Sequence, residues 1–99
     1  MRRGTTPTHT FTIPFEVENV ADALIVYAQG DKEVLRKTVR HCRMEGNTLS
    51  VDLTQEETLL FSCKSKAQIQ VKVRTGGGSV LVSEILTLDV EKCLSDEVI

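Results

Sequence analysis

Apolar residues recur along most of this chain with a period of two, the spacing that sends alternate side chains to one face of a pleated strand. The cleanest case is Lys66 to Thr75, where Ala67, Ile69, Val71 and Val73 alternate with Gln68, Gln70, Lys72 and Arg74. One face of that strand is predicted to meet a core and the other water. Thr8 to Ile13 alternates threonines with His9, Phe11 and Ile13, and Pro14, which has no N–H to give a ladder, closes the strand or holds it at a sheet edge. Ala23 to Gln29 is nearly all apolar, which predicts a central strand facing a core on both sides. Gly30 and Asp31 supply a turn that folds Glu33 to Val39 back against it. A second turn at Glu45, Gly46 and Asn47 leads into Thr48 to Leu53, with Leu49, Val51 and Leu53 pointing inward and Ser50 and Asp52 outward.

Thr54-Gln55-Glu56-Glu57 has the form of a capping box, in which the threonine hydroxyl accepts from the N–H of Glu57 and the Glu57 carboxylate reaches back. It predicts one helical turn, after which Leu59, Leu60 and Phe61 plug an end of the core. Gly76, Gly77, Gly78 and Ser79 read as a hairpin loop feeding a long return strand, Val80 to Val90. The inward set of that strand changes phase, since Leu86, Leu88 and Val90 keep an even register after Ser83 and Glu84 interrupt the apolar run, and this predicts a bulge near Ser83. About seven short strands separated by turn signals predict an all-β fold: a small antiparallel β-sandwich, immunoglobulin-like in architecture, with one short helical turn. The tryptophan of the antibody core is missing, so the likeness stops at layering. Residues 1–99 form one domain in this reading, with 1–7 an extended N-terminal arm and 92–99 a C-terminal tail.

Ninety-nine residues bury one core and leave no room for a cleft between lobes. No apolar stretch approaches the roughly 20 residues of a membrane helix. Twelve basic and fourteen acidic residues give a net charge of −2, the wrong sign for a domain that binds polyphosphate, so neither nucleic acid nor a membrane is an expected partner. The opening MRRGTTPTHT lacks the apolar run of a secretory signal, which points to the cytoplasm. Cys42, Cys63 and Cys93 are odd in number and widely spaced, and read as reduced thiols packed like small apolar residues. A Cys42–Cys63 bridge is the alternative.

Candidate chemistry is sparse. The three glycines before Ser79 lack the Gly-Lys-Ser/Thr and helix of a phosphate cradle. Glu56 and Glu57 are neighbours on a turn and point apart, which suits capping rather than acid–base work. His41 and Cys42 are adjacent, and along a strand their side chains diverge, without a third group to orient them. The two histidines and three cysteines lack paired ligand spacing, so no metal and no cofactor is expected. Arg36, Lys37, Arg40 and Arg43 form a local basic stretch best explained as a solvated face. Tyr27, Phe11, Phe15 and Phe61 all sit in apolar runs, where packing accounts for them better than a sugar platform. No catalytic residue is assigned.

Three segments carry a resemblance. RGTTPTHTFTIPF, LTQEETLLF and CLSDEVI are similar to stretches of small, mostly uncharacterised prophage-encoded proteins of Gram-positive bacteria, and together they extend the likeness over nearly the whole chain. Such genes resemble, in their context, those of phage tail and baseplate components. The resemblance implies a non-enzymatic structural or assembly role, in the bacterial cytoplasm during assembly or in the virion, with partners that are other copies of the chain or other tail proteins. The expected contact residues lie in the two arms: Arg2, Arg3, Thr5, Thr6 and Thr8 at one end, Leu94, Val98 and Ile99 at the other. The competing expectation is a stand-alone adaptor, monomeric and cytoplasmic, that docks a protein through the sheet edge near Pro14 or the basic stretch around Arg40.

Overall fold

A computed structural model describes all 99 residues. Strand β1 (Thr8–Thr12) stops two residues short of Pro14, and a 3₁₀ turn at Val17–Asn19 passes the chain to β2 (Val20–Gln29). Gly30 and Asp31 both adopt positive φ, 56° and 63°, which is the type I′ geometry that matches strand twist and sets β3 (Lys32–Thr38) antiparallel to β2. A second 3₁₀ turn, Val39–His41, leads into β4 (Cys42–Glu45). Gly46, at φ 58°, takes the first position of a two-residue loop where a side chain would be strained, and the chain returns as β5 (Thr48–Asp52). Helix α1 (Gln55–Thr58) is one turn long and precedes β6 (Ala67–Thr75), β7 (Val80–Val82) and β8 (Leu86–Leu88).

The strands form two antiparallel sheets, one in the order β1-β5-β4 and the other in the order β3-β2-β6-β7, with β8 following β7 along the same edge of β6. The fold is therefore the small all-β sandwich that the alternation predicted, with eight strands where about seven were expected. Its core joins the two layers: Phe11, Ile13, Leu49, Val51 and Leu53 from one side meet Ala23, Ile25, Tyr27, Ile69, Val71 and Val73 from the other. At the centre the Tyr27 ring meets Phe61 edge-on, with centroids 5.9 Å apart. The Tyr27 hydroxyl lies 2.6 Å from Nδ1 of His9, which satisfies the phenol across the layers. Burial, reinforced by the N-terminal ammonium, holds the His9 imidazole below its usual value.

Several expectations change. Strand β2 is central, but only Ala23, Ile25 and Tyr27 are buried; Leu24, Val26 and Ala28 are half-buried because no third layer covers the outer face. Strand β4 was not foreseen, since Arg43, Met44 and Glu45 are all exposed and give no alternation. The long return strand is split. The Ser83 N–H donates to the Val71 carbonyl, the Ser83 hydroxyl takes the place of its carbonyl in accepting the Val71 N–H and donates to the Glu84 carbonyl, and the ladder resumes only at Leu86. The inward side chain is Leu81 before the break and Leu86 after it, so the phase change at Ser83 is real. Phe61 plugs the core as expected, whereas Leu60 is exposed.

Lys37, read as part of a solvated face, is only 8% exposed. It lies opposite Ile25 in the ladder and so points inward, where both oxygens of Glu57 receive its ammonium at 2.9 and 2.7 Å. Glu57 also completes the predicted capping box, accepting from Thr54 N–H while its own N–H donates to the Thr54 hydroxyl. Burial raises the Glu57 carboxyl, but Lys37 and the Thr54 N–H outweigh it and leave the group below its ordinary 4.5. A carboxyl whose folded value is depressed stabilises the fold fully above the unfolded value, and this contribution is lost as pH falls through the folded one. The urea midpoint is therefore expected to fall below about pH 4.5, and Glu57→Gln, lower in midpoint at neutral pH, is expected to flatten that acid limb.

Candidate functional site

Two regions bear on contact with other molecules, and the sequence pointed to the first. Arg2, Arg3 and Thr5 of the N-terminal arm do not project from the domain. Arg2 forms a parallel bridge with Glu91, and its guanidinium donates to the Lys92 carbonyl at 2.6 Å. The Arg3 N–H donates to Glu91 O and the Glu91 N–H to Met1 O, so the arm runs beside the chain that leaves β8. The Arg3 side chain reaches the last carbonyls of the α1 region, Phe61 at 2.7 Å and Leu59 at 3.1 Å, and pairs with Asp96 at 2.9 Å. A cation at that position satisfies acceptors that a helix end leaves open.

Thr58 locks the arm from below. Its hydroxyl is fully buried, accepts the Gly4 N–H at 3.0 Å, and lies 3.0 Å from the carbonyls of Thr5 and Gln55, which share its single proton. Gly4 has φ 79°, a backbone conformation that residues with a side chain rarely adopt, so the arm turns at its one glycine. The Thr5 hydroxyl donates to Arg2 O and that of Thr8 to Asp52, while Thr6 is exposed. In the tail, Leu94 and Ile99 are 96% and 100% exposed and Val98 44%, although the backbone of Ile99 is held by the Gln55 amide. The arms thus form a clasp on their own domain. Thr6 and the apolar tail side chains Leu94, Val98 and Ile99 point into solvent without a side-chain partner, whereas Arg2, Thr5 and Thr8 are exposed but hydrogen-bonded within the chain.

The second region was not visible in the sequence. Between the edge of β1 and the edge formed by β7 and β8 lies an open groove of about 460 Å³. Phe11, Ile13, Val71 and Val73 line it on the core side, Phe15 and Leu81 and Leu86 on its rims. Leu81 and Leu86 face inward by register, opposite Val73 and Ile69, yet stay 41% and 46% exposed. The three-stranded sheet ends at β1 and no strand lies over them. The lining is mostly apolar, with the hydroxyls of Thr10, Thr12 and Ser83 and one titratable group, Glu84.

The basic stretch is largely neutralised. Arg36 is paired with Glu33, Arg43 with Asp52 and Lys37 with Glu57; Arg40 alone has no carboxylate partner. His41 caps the 3₁₀ turn at Val39–His41, its Nδ1 accepting the Thr38 N–H at 3.1 Å, which gives this histidine a structural role apart from Cys42. The cysteines are all free; burial pushes the Cys42 thiol up, with Lys37 drawing it the other way. No three histidine, cysteine or acidic side chains lie together in a metal-holding group, and no helix is long and apolar enough to cross a membrane.

No family model matches this chain, and no curated protein matches it either. Thr58→Val keeps the shape of the side chain and leaves the Gly4 N–H without its acceptor. It is expected to cost about 1–3 kcal/mol in urea unfolding and to speed amide exchange at Gly4. Removing residues 1–7 is likewise expected to lower the urea midpoint, because it strips Phe61 and Leu59 of the Arg3 side chain; an unchanged midpoint would show that the clasp contributes nothing to the fold.

Proposed function

We propose that this chain is a non-enzymatic structural or assembly protein of a phage, a β-sandwich module associated with the tail or baseplate that works through protein–protein contacts. The single observation that carries contact as its work is the uncovered groove beside β1, where inward-facing leucines meet water. Contiguous exposed apolar surface is where proteins commonly contact one another. The tail and baseplate setting comes from the resemblance of RGTTPTHTFTIPF, LTQEETLLF and CLSDEVI to prophage-encoded proteins.

Its partners in this reading are proteins, either further copies of itself or other tail components. Nucleic acid fits poorly, since three of the four clustered cations already hold carboxylates. The lining of the groove supports a binding rather than a reactive role, with no cofactor. An adaptor without a place in the virion is the second reading, supported by the exposed sheet edge that ends near Pro14.

Mass spectrometry of particles purified after induction of a host carrying this sequence separates the two. The chain is expected in the particles at a fixed ratio to their tail proteins, or in tail intermediates if it acts only during assembly. Recovery solely as a free protein, absent from particles and intermediates, would overturn the assembly role and favour the adaptor.

A further inference from the structure

The edges of the sandwich differ in how they are protected. Exposed strand edges template unwanted pairing, and proteins blunt them with charge. On one side of the molecule β3 carries Lys32, Glu33, Arg36 and the inward Lys37, and β4 carries Arg43 and Glu45. The opposite side has no such guard: β1 reads Thr-His-Thr-Phe-Thr and β7 Val-Leu-Val.

The hydrogen-bond register shows which groups those bare edges offer. Leu53 N–H donates to Pro7 O and Ile13 N–H to Asn47 O, so the residues of β1 that bond β5 are the odd-numbered ones. Thr8, Thr10 and Thr12 direct their N–H and C=O groups to the free edge. By the same logic Thr75 N–H to Ser79 O and Ser83 N–H to Val71 O leave Val80 and Val82 facing outward from β7.

We infer that a second copy of this chain closes the groove, β1 of each copy pairing with β7 of the other about a twofold axis that runs along the strands. Three observations select that partner. The two edges form a step, since the sheet of β1 ends one strand short of the sheet of β7, and a twofold along the strands turns each step to fit the other. Directions agree: β1 passes from His9 beside Tyr27, which pairs with Ile69, to Ile13 in the groove with Val73, so it runs with β6 and against β7, as an antiparallel pair requires. Surface area agrees as well. The chain exposes 6190 Å², whereas a monomeric protein of its mass exposes about 5,600 Å², and the excess is of the order of the roughly 800 Å² that each partner buries in a stable complex. In the pair, Leu81 of each copy lies beneath the β7 edge of the other and Leu86 beneath its β8 edge, and the edges cover one another's unpaired groups where they overlap.

This deepens the reading of the chain as a contact module and rests on it. Light scattering of the unmodified protein under reducing conditions is expected to give twice 11.0 kDa. Amide exchange at Thr10, Thr12, Val80 and Val82 is expected to slow as concentration rises. Leu81→Asp is expected to return the mass to that of the monomer with its circular dichroism retained, whereas Glu45→Lys, on the guarded side, leaves the dimer intact. A monomer at every concentration, or a dimer in which those four amides still exchange freely, overturns the inference. Neither result touches the assembly role, which falls only if the chain is absent from particles and their intermediates.

Discussion

A sheet of three strands covers a sheet four strands wide, and most of what distinguishes this molecule follows from that mismatch. Strand β6 determines it. Its inward residues Ile69, Val71 and Val73 pair with β2 on one side, and on the other Ala67, Ile69 and Val73 lie opposite Leu88, Leu86 and Leu81, which therefore also point inward. A ladder passes facing from strand to strand without regard to what lies opposite. Where β5 and β1 supply a second layer, the apolar face becomes core; beyond β1 it becomes an open groove. The same alternation thus produces both the packed core of the protein and an open apolar groove beside it.

The terminal clasp limits how far the opening extends. The arm before β1 and the chain after β8 leave the two edges that flank the groove, and the contacts of Met1 and Arg3 with Glu91 join them at one end. Arg3 and Thr58 then anchor that junction to the α1 region, whose position is itself set by the Glu57–Lys37 pair. Half-buried charge is costly unless it is fully bonded, and here the ammonium holds both carboxylate oxygens while Thr54 supplies a further donor. A short helix that would not persist alone is thereby tied to β3 and to the N-terminus at once.

Local signals were legible wherever the determining partners lie close in the chain. The Lys66 to Thr75 alternation, the Gly30-Asp31 and Gly46-Asn47 turns, the capping box at Thr54 and the phase change at Ser83 all read correctly, because each depends on a few neighbouring residues. Features that depend on remote partners were not. Lys37 looks like a surface cation until Glu57 is seen beneath it, and Arg2 and Arg3 look like a free arm until Glu91, Leu59 and Phe61 are placed beside them. Strand β4 has no apolar period because it is held by β5 and contributes no buried side chain. The groove was hidden for the same reason: Leu86 carries the signature of a core residue, and only the width of the opposing sheet decides that it meets water.

The distribution of charge along the edges gives this mismatch its meaning. Had the groove been an accident of packing, a lysine or glutamate on β1 or β7 would have been the simplest protection, as β3 and β4 show within the same molecule. Thr10, Thr12, Val80 and Val82 instead combine strong strand preference with outward-facing backbone groups, on the side where the leucines are uncovered. A neutral, β-prone edge beside an apolar step is a hazard in a chain that works alone. The two bare edges of this sandwich run in opposite directions beside the same step, and each turns the backbone groups of its even-numbered residues outward, where another strand would find them.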